Sequence, residues 1–174
     1  DPDFTFAPLG GVNRDWIGNI TPTLDSCGRD LTAESQKGNL PPVLERKDLV
    51  SQVVLILSRS RENNVILVGE AGAGKTALVY SLAQRIITGG APAPLRFKRV
   101  VALEPASLLA GTKTEGDLSL KIQKIIEEVE FTENVILFID EIQNLVGPAD
   151  ALRSSVIYGA LEPHLTSAKF QIIT

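Results

Sequence analysis

The chain has 174 residues, of which 44% are apolar and 22% are charged, and its formal net charge is −4. This length suits one globular domain and is enough to bury a hydrophobic core. The acidic balance argues against a nucleic-acid partner, because phosphate contacts need clustered Lys and Arg. Cys27 is the only cysteine, which excludes an internal disulfide. The single cysteine and the lack of a membrane-length apolar run together predict a cytoplasmic protein.

The two ends of the chain predict that it is part of a longer protein. It begins with Asp1 rather than Met and stops inside the apolar run Phe170–Thr174. Residues 1–42 are rich in Gly, Pro, Asn, Asp and Thr and show no sustained period. We therefore expect an extended arm or linker over residues 1–42, with one short helix near Leu31–Lys37, and a folded core over residues 43–174.

Strands and helices are predicted to alternate through this core. Helical periodicity marks Arg46–Ser58, Lys75–Thr88, Leu118–Val129 and Ala151–Leu161. Short apolar runs mark strands at Val65–Val68, Arg99–Leu103, Val135–Ile139 and Phe170–Ile173. The run Val65–Val68 is continuous, as expected of a strand that is buried on both faces. This order predicts an α/β fold with three layers, in which helices cover both faces of a parallel sheet.

A glycine-rich loop follows the first predicted strand. Its residues match the pattern G-x-x-x-x-G-K-[ST] and are Gly69, Glu70, Ala71, Gly72, Ala73, Gly74, Lys75 and Thr76. Glycines let the backbone turn tightly and direct successive N–H groups at phosphate oxygens. With Ala77 in the first turn of the next helix, the loop is predicted to bind the phosphates of ATP or ADP. Lys75 is expected to reach the β and γ phosphates, and the Thr76 hydroxyl to ligate Mg²⁺.

Two carboxylates follow the predicted strand Val135–Ile139. The carboxyl ends of parallel strands line the ligand crevice, and the phosphate loop leaves the sheet at the same edge. Asp140 is therefore predicted to help hold Mg²⁺ through water, because Mg²⁺ keeps several waters when it binds to proteins. Glu141 is predicted to orient and deprotonate the attacking water.

The order of these and other segments resembles the first AAA+ module of the Clp ATPases, which are ring-forming unfoldases and disaggregases. The resemblance runs from about residue 24 to the end of the chain. The segments that carry it are Leu24–Thr32, Gly38–Arg46, Asn63–Asn64, Leu82–Ile86 and Phe138–Glu141.

This resemblance implies the large subdomain of an AAA+ module with a RecA-like fold, which binds and hydrolyses ATP. Val43 and Leu44 stand where the family has an aliphatic pair that contacts adenine. The resemblance also implies a ring, expected to be a hexamer in the longer protein, and protein substrates. It leaves open whether a protease is a partner. The family's γ-phosphate sensor, arginine finger and lid would follow Thr174, so the isolated chain is expected to hydrolyse ATP very slowly.

The sequence departs from the family at two places. The pore loop of the family carries an aromatic residue, whereas the matching stretch Gly111–Gly116 has Thr114 at that position and Glu115 beside it. Thr offers little contact area to a threaded polypeptide, so we expect weak grip on substrate. Glu45 replaces the family's glycine before Arg46, which is expected to alter the adenine pocket.

Three functions stay open at this point. The first is an ATPase module of a Clp-type unfoldase or chaperone. The second is an AAA+ ATPase that acts on DNA or on another assembly. The third is a module that binds nucleotide to assemble a ring but does not grip substrate, as the Thr114 substitution allows.

Overall fold

The computed structural model describes residues 20–70, 72–140 and 151–174, without the side chain of residue 151. In those ranges the helices are α1 (Pro22–Cys27), α2 (Leu31–Gln36), α3 (Lys47–Leu57), α4 (Lys75–Ile87), α5 (Pro105–Leu109), α6 (Glu115–Thr132) and α7 (Ala151–Leu161). The strands are β1 (Gly28–Asp30), β2 (Arg99–Leu103), β3 (Val135–Phe138) and β4 (Gln171–Ile173). Short 3₁₀ turns cover Ala93–Leu95 and Glu162–His164.

The four strands form one sheet in the order β1-β2-β3-β4. Strands β2, β3 and β4 run parallel, so that Val100 lies opposite Ile136 and Leu137 lies opposite Ile172. Strand β1 is antiparallel to β2. The helices that follow β2 and β3 supply the crossovers that parallel strands require. The predicted α/β fold is therefore confirmed.

Strand β3 shows why its sequence is apolar at every position. Ile136 and Phe138 belong to one core cluster, which they share with α2, α3 and α4. Leu137 and Ile139 belong to the other cluster, which they share with α1, α6 and α7. Successive side chains of a strand point to opposite faces of the sheet, so both faces of β3 are covered by helices. The sheet is thus the middle of three layers, as the sequence predicted.

The prediction that Val65–Val68 forms a strand buried on both faces is wrong. Val65 forms only an isolated parallel bridge with Ile173. It is 5% exposed, whereas Ile66 is 75% and Val68 is 94% exposed. The reason is that the segment lies at the edge of the sheet beside β4. Its last hydrogen bond runs from the Leu67 N–H to the carbonyl of Thr174, the residue after β4, at 2.6 Å.

Residues 21–36 differ from the extended arm that was expected over residues 1–42. They fold onto the sheet as α1, β1 and α2, with Leu24 and Leu31 fully buried. Arg99 of β2 holds them, since its guanidinium pairs with Asp25 and Asp30 at 2.8 Å each. The boundary drawn after residue 42 stays a prediction, and residues 1–19 lie outside the described residues.

The other predicted elements are confirmed with small shifts at their ends, including the short helix near Leu31–Lys37. The predictions missed α1, β1 and α5, which have six, three and five residues. Elements this short contain too few residues to show a helical or strand period. Within the described residues, no helix is both long enough and apolar enough to span a bilayer.

Candidate nucleotide-binding site

The glycine-rich loop joins the edge segment at Val65 to the start of α4. Gly72 and Gly74 have φ angles of +81° and +89°. These left-handed conformations favour glycine, because a Cβ would crowd the following carbonyl. The turn is closed by the Ala73 N–H, which donates to the Glu70 carbonyl at 3.0 Å.

Helix α4 begins directly after this turn, without a capping side chain. Gly74 is its N-cap residue and has no side chain that could accept a hydrogen bond from the first turn. The first N–H groups of a helix have no partner within the helix, and the helix dipole makes this end positive. The start of α4 can therefore donate to an anion such as phosphate.

Lys75 is the first residue of α4, and its side chain lies along the loop. Its Nζ donates to the Gly69 carbonyl at 3.2 Å. The Lys75 ammonium thus lies beside Gly69, the first residue of the phosphate loop. A lysine there supplies a positive charge to the phosphate groups of a nucleotide.

Thr76 and Asp140 meet across the site. The Thr76 hydroxyl donates to Asp140 Oδ2 at 2.6 Å. Thr76 comes from the first turn of α4, and Asp140 lies two residues after β3, so this contact joins the phosphate loop to the carboxyl edge of the sheet. Hydroxyl and carboxylate oxygens are the hard ligands that Mg²⁺ prefers. The pair therefore fits a magnesium ion bound together with a nucleotide.

A pocket of about 220 Å³ lies farther along α4. It is lined by Pro41, Pro42 and Val43, by Tyr80 and Gln84 of α4, and by Ser35, Gly38 and Leu40. Leu44, the second member of the expected adenine-contacting pair, is 93% exposed. The structure thus places Val43, and not Leu44, at the pocket wall.

Comparison with known proteins shows the family of the chain. Residues 65–167 match the model of the ATPase family associated with various cellular activities, the AAA family. The chain belongs to this family. The matched range contains both the phosphate loop and Asp140.

Relatives of this AAA chain come from the Clp group. It is 42% identical over 155 residues to the ATP-dependent Clp protease ATP-binding subunit ClpC of Staphylococcus aureus (strain USA300), covering 89% of this chain and 19% of that protein. It is 41% identical over 153 residues to the chaperone protein ClpB of Oceanobacillus iheyensis, covering 88% of this chain and 19% of that protein. The resemblance to Clp ATPases is confirmed, and the chain spans about a fifth of the length of these relatives.

A solved structure gives the same result for the fold. The chain superposes on the Saccharomyces cerevisiae Hsp104:casein complex in its extended conformation with a TM-score of 0.71 and 31% sequence identity. The match covers 87% of this chain and 26% of that one. This supports the RecA-like fold that the resemblance implied for this AAA module.

The roles of individual site residues stay predictions. Of the expected phosphate-binding residues, the structure brings together those in 69–77 other than Ala71, which lies outside the described residues. It also brings Asp140 to Thr76. Glu141, the expected base, lies outside the described residues as well.

Apart from these residues, the sequence analysis missed two features. Glu45 forms an ion pair with Arg85 of α4 at 3.0 Å, forty positions away along the chain. Thr114, expected at the pore-loop position, is the N-cap of α6. Its hydroxyl accepts from the Asp117 N–H at 3.1 Å. The pattern Thr114-Glu115-Gly116-Asp117 resembles a capping box with Asp in place of Glu, and this signal was available in the sequence.

Proposed function

We propose that this chain is the nucleotide-binding core of a Clp-type AAA+ ATPase and that it binds ATP together with Mg²⁺. The observation that carries the proposal is the 2.6 Å contact between the Thr76 hydroxyl and Asp140. It joins a phosphate-binding loop to an acidic strand end, the two parts that an ATP-hydrolysing site of this class needs.

Each residue has a distinct task in this proposal. The loop N–H groups and the start of α4 bind the phosphates, and Lys75 adds its charge to the β and γ groups. Thr76 and Asp140 hold Mg²⁺, which when bound neutralises charge on the phosphates. Glu141 accepts the proton of the attacking water. Val43 contacts the adenine base from the pocket wall.

For the longer protein, we propose a ring, with a hexamer as the expected form, that uses ATP hydrolysis to remodel protein substrates. The names of the relatives support a protein substrate, because one is a chaperone and the other is a subunit of a protease. They differ on a protease partner, so that partner is a question for experiment. The net charge of −4 supports a protein rather than a nucleic-acid substrate.

The capped start of α6 favours a second candidate, a ring-assembly module that does not grip substrate. The Thr114 hydroxyl is engaged with the Asp117 N–H, and no aromatic side chain lies between Gly111 and Gly116. A loop of this kind has little apolar area to offer a passing polypeptide. In this candidate, nucleotide binding would control assembly only.

The decisive experiment measures ATP hydrolysis by the longer protein with and without an unfolded protein or DNA. We expect stimulation by unfolded protein and none by DNA. Glu141→Gln is expected to bind ATP normally but to hydrolyse it about 10²–10⁴-fold more slowly, which is the usual contribution of a positioned base. Glu127→Gln, the same change on an exposed face of α6, is the control.

Each contrary result has a definite meaning. Unimpaired hydrolysis in Glu141→Gln would show that another residue activates the water. Hydrolysis that does not respond to unfolded protein would favour the assembly module. Stimulation by DNA would favour a motor that acts on nucleic acid.

A further inference from the structure

The segment formed by residues 40–45 is weakly attached to the rest of the molecule. It has no helix or strand, and only Leu40 and Val43 in it are partly buried. Within the described residues, its one hydrogen bond or ion pair to another element is made by Glu45. Because little apolar surface holds the segment, this polar contact has a large share in setting its position.

The partner of Glu45 is firmly placed. Arg85 lies in the last turn of α4, and its side chain is only 19% exposed. Its Nη2 pairs with Glu45 Oε1 at 3.0 Å, and its Nη1 donates to the Ser51 hydroxyl of α3 at 3.0 Å. Two partners at separate nitrogens of a planar guanidinium fix its orientation. Arg85 therefore anchors the segment to the helix that begins at the phosphate loop.

The members of the ion pair lie within two residues in sequence of residues that line the pocket beside α4. Gln84, which lines this pocket together with Tyr80, directly precedes Arg85. Tyr80 follows Thr76 by one helical turn, about 6 Å along the helix axis. Residues one turn apart share a helix face, so the pocket continues the face of α4 that begins at Thr76. Val43 lines the same pocket, so its position affects the shape of the pocket.

We propose that Glu45 is a positioning residue for adenine-nucleotide binding, which acts by holding Val43 at the pocket wall through its ion pair with Arg85. The inference rests on the proposed function. It assigns a role to Glu45, where the sequence departs from the Clp pattern of glycine. The segment that a glycine would leave flexible is here tied to α4 by a charge pair.

The test compares two ligands, Mg-ATP and Mg-tripolyphosphate, by calorimetry on the full 174-residue chain. Glu45→Gln removes the charge and keeps the size of the side chain. We expect it to weaken Mg-ATP about three- to tenfold, as suits the loss of a partly exposed ion pair. Binding of tripolyphosphate, which has no base, should not change. Glu127→Gln is the control and should leave both affinities unchanged.

A charge-exchange variant tests whether the effect comes from loss of the ion pair rather than from damage to the fold. The double variant Glu45→Arg, Arg85→Glu restores opposite charges, and we expect it to bind Mg-ATP better than either single variant does. Equal weakening of both ligands in Glu45→Gln, or no weakening of either, would overturn the positioning role. Failure of the unaltered chain to bind either ligand would instead overturn the proposed function, so the two failures are distinguishable.

Discussion

Helices α4 and α6 both begin directly after a loop, but their first turns are built in opposite ways. α4 follows Gly74 and has no side-chain cap. α6 follows Thr114, whose hydroxyl accepts from the Asp117 N–H at 3.1 Å, while Asp117 Oδ2 accepts from the Thr114 N–H at 2.9 Å. A helix start can bind an external anion only where its N–H groups are not already paired. The two starts therefore differ in what they offer a ligand.

The loop before α6 is held by further hydrogen bonds. Asp117 Oδ2 accepts a second hydrogen bond from the Lys113 N–H at 3.1 Å. Lys121 Nζ donates to the carbonyls of Ser107 and Ala110 at 2.8 and 2.9 Å, which holds the end of α5 beside α6. Glycines leave the start of α4 open to phosphate, whereas Thr and Asp close the start of α6 on itself. Residue type at the cap thus separates an uncapped helix start from one closed by its own side chains.

The largest expected effect follows from removing the charge at the open helix start. Lys75→Ala should weaken Mg-ATP binding about 10- to 100-fold, because a hydrogen bond between charged groups is lost. Lys113→Ala, the same change beside the closed start of α6, should leave the affinity as it is. Calorimetry on both variants makes the comparison, and an unchanged affinity in Lys75→Ala would remove the basis for the proposed site.

A pair of glycine substitutions compares the backbone at the two helix starts. Gly74 has a φ angle of +89°, so Gly74→Ala should lower the free energy of unfolding by about 1–2 kcal/mol. Gly116 lies within α6, and a Cβ there would be 3.6 Å from the Thr114 hydroxyl, an ordinary contact. Gly116→Ala should therefore raise that free energy by up to about 1 kcal/mol. Urea unfolding measures both, and shifts in the same direction would contradict the contrast.

The cap of α6 gives the third prediction. Thr114→Ala should lower the free energy of unfolding by about 1 kcal/mol, since it removes the hydroxyl that accepts from the first turn. Mg-ATP affinity should not change. Thr114→Ser retains the hydroxyl and should stay close to the unaltered chain. A loss of nucleotide affinity in Thr114→Ala, with stability unchanged, would mean that the two helix starts are not separate in function.

The same two regions show how far sequence reasoning reaches. The sequence predicts the phosphate loop because its pattern is local and a helical period follows it. The position of Asp140 beside Thr76 was expected because parallel strands end at one edge of the sheet, and the 2.6 Å contact agrees with that expectation.

Contacts between distant segments could not be predicted in this way. The pairing of Glu45 with Arg85 depends on how residues 40–45, which have no regular structure, lie against α4. A periodic sequence pattern does not predict such a contact. The helices and strand of residues 21–36 were missed for a related reason. They are too short to show a period, and Arg99, the residue that ties them to the sheet, lies far along the chain.

The smallest expected effect concerns α2, a third helix start, which is capped by an acid. Asp30 accepts from the Ala33 N–H at 2.9 Å, from the Thr32 hydroxyl and from Arg99 Nε at 2.8 Å. Burial alone would raise the pKa of Asp30, but these hydrogen bonds and the charge of Arg99 outweigh it and hold the pKa below the ordinary value of 3.8. A lowered pKa means that the folded chain binds this proton less readily than the unfolded chain does. The stability that Asp30 contributes is therefore complete above the unfolded pKa and is lost as the pH falls through the folded one.

Urea unfolding over a series of acidic pH values tests this contribution. Asp30→Asn retains an oxygen that can cap α2 but has no charge, so its stability should fall less steeply with acid than that of the unaltered chain. At neutral pH the variant should be less stable by about 1 kcal/mol, since the ion pair with Arg99 is lost while Arg99 keeps its pair with Asp25. Equal acid dependence in the two proteins would show that the capped start of α2 does not depend on the charge of Asp30. The first turn of α4 contains no acidic residue that caps it. Asp30→Asn should therefore have the same Mg-ATP affinity at neutral pH as the unaltered chain.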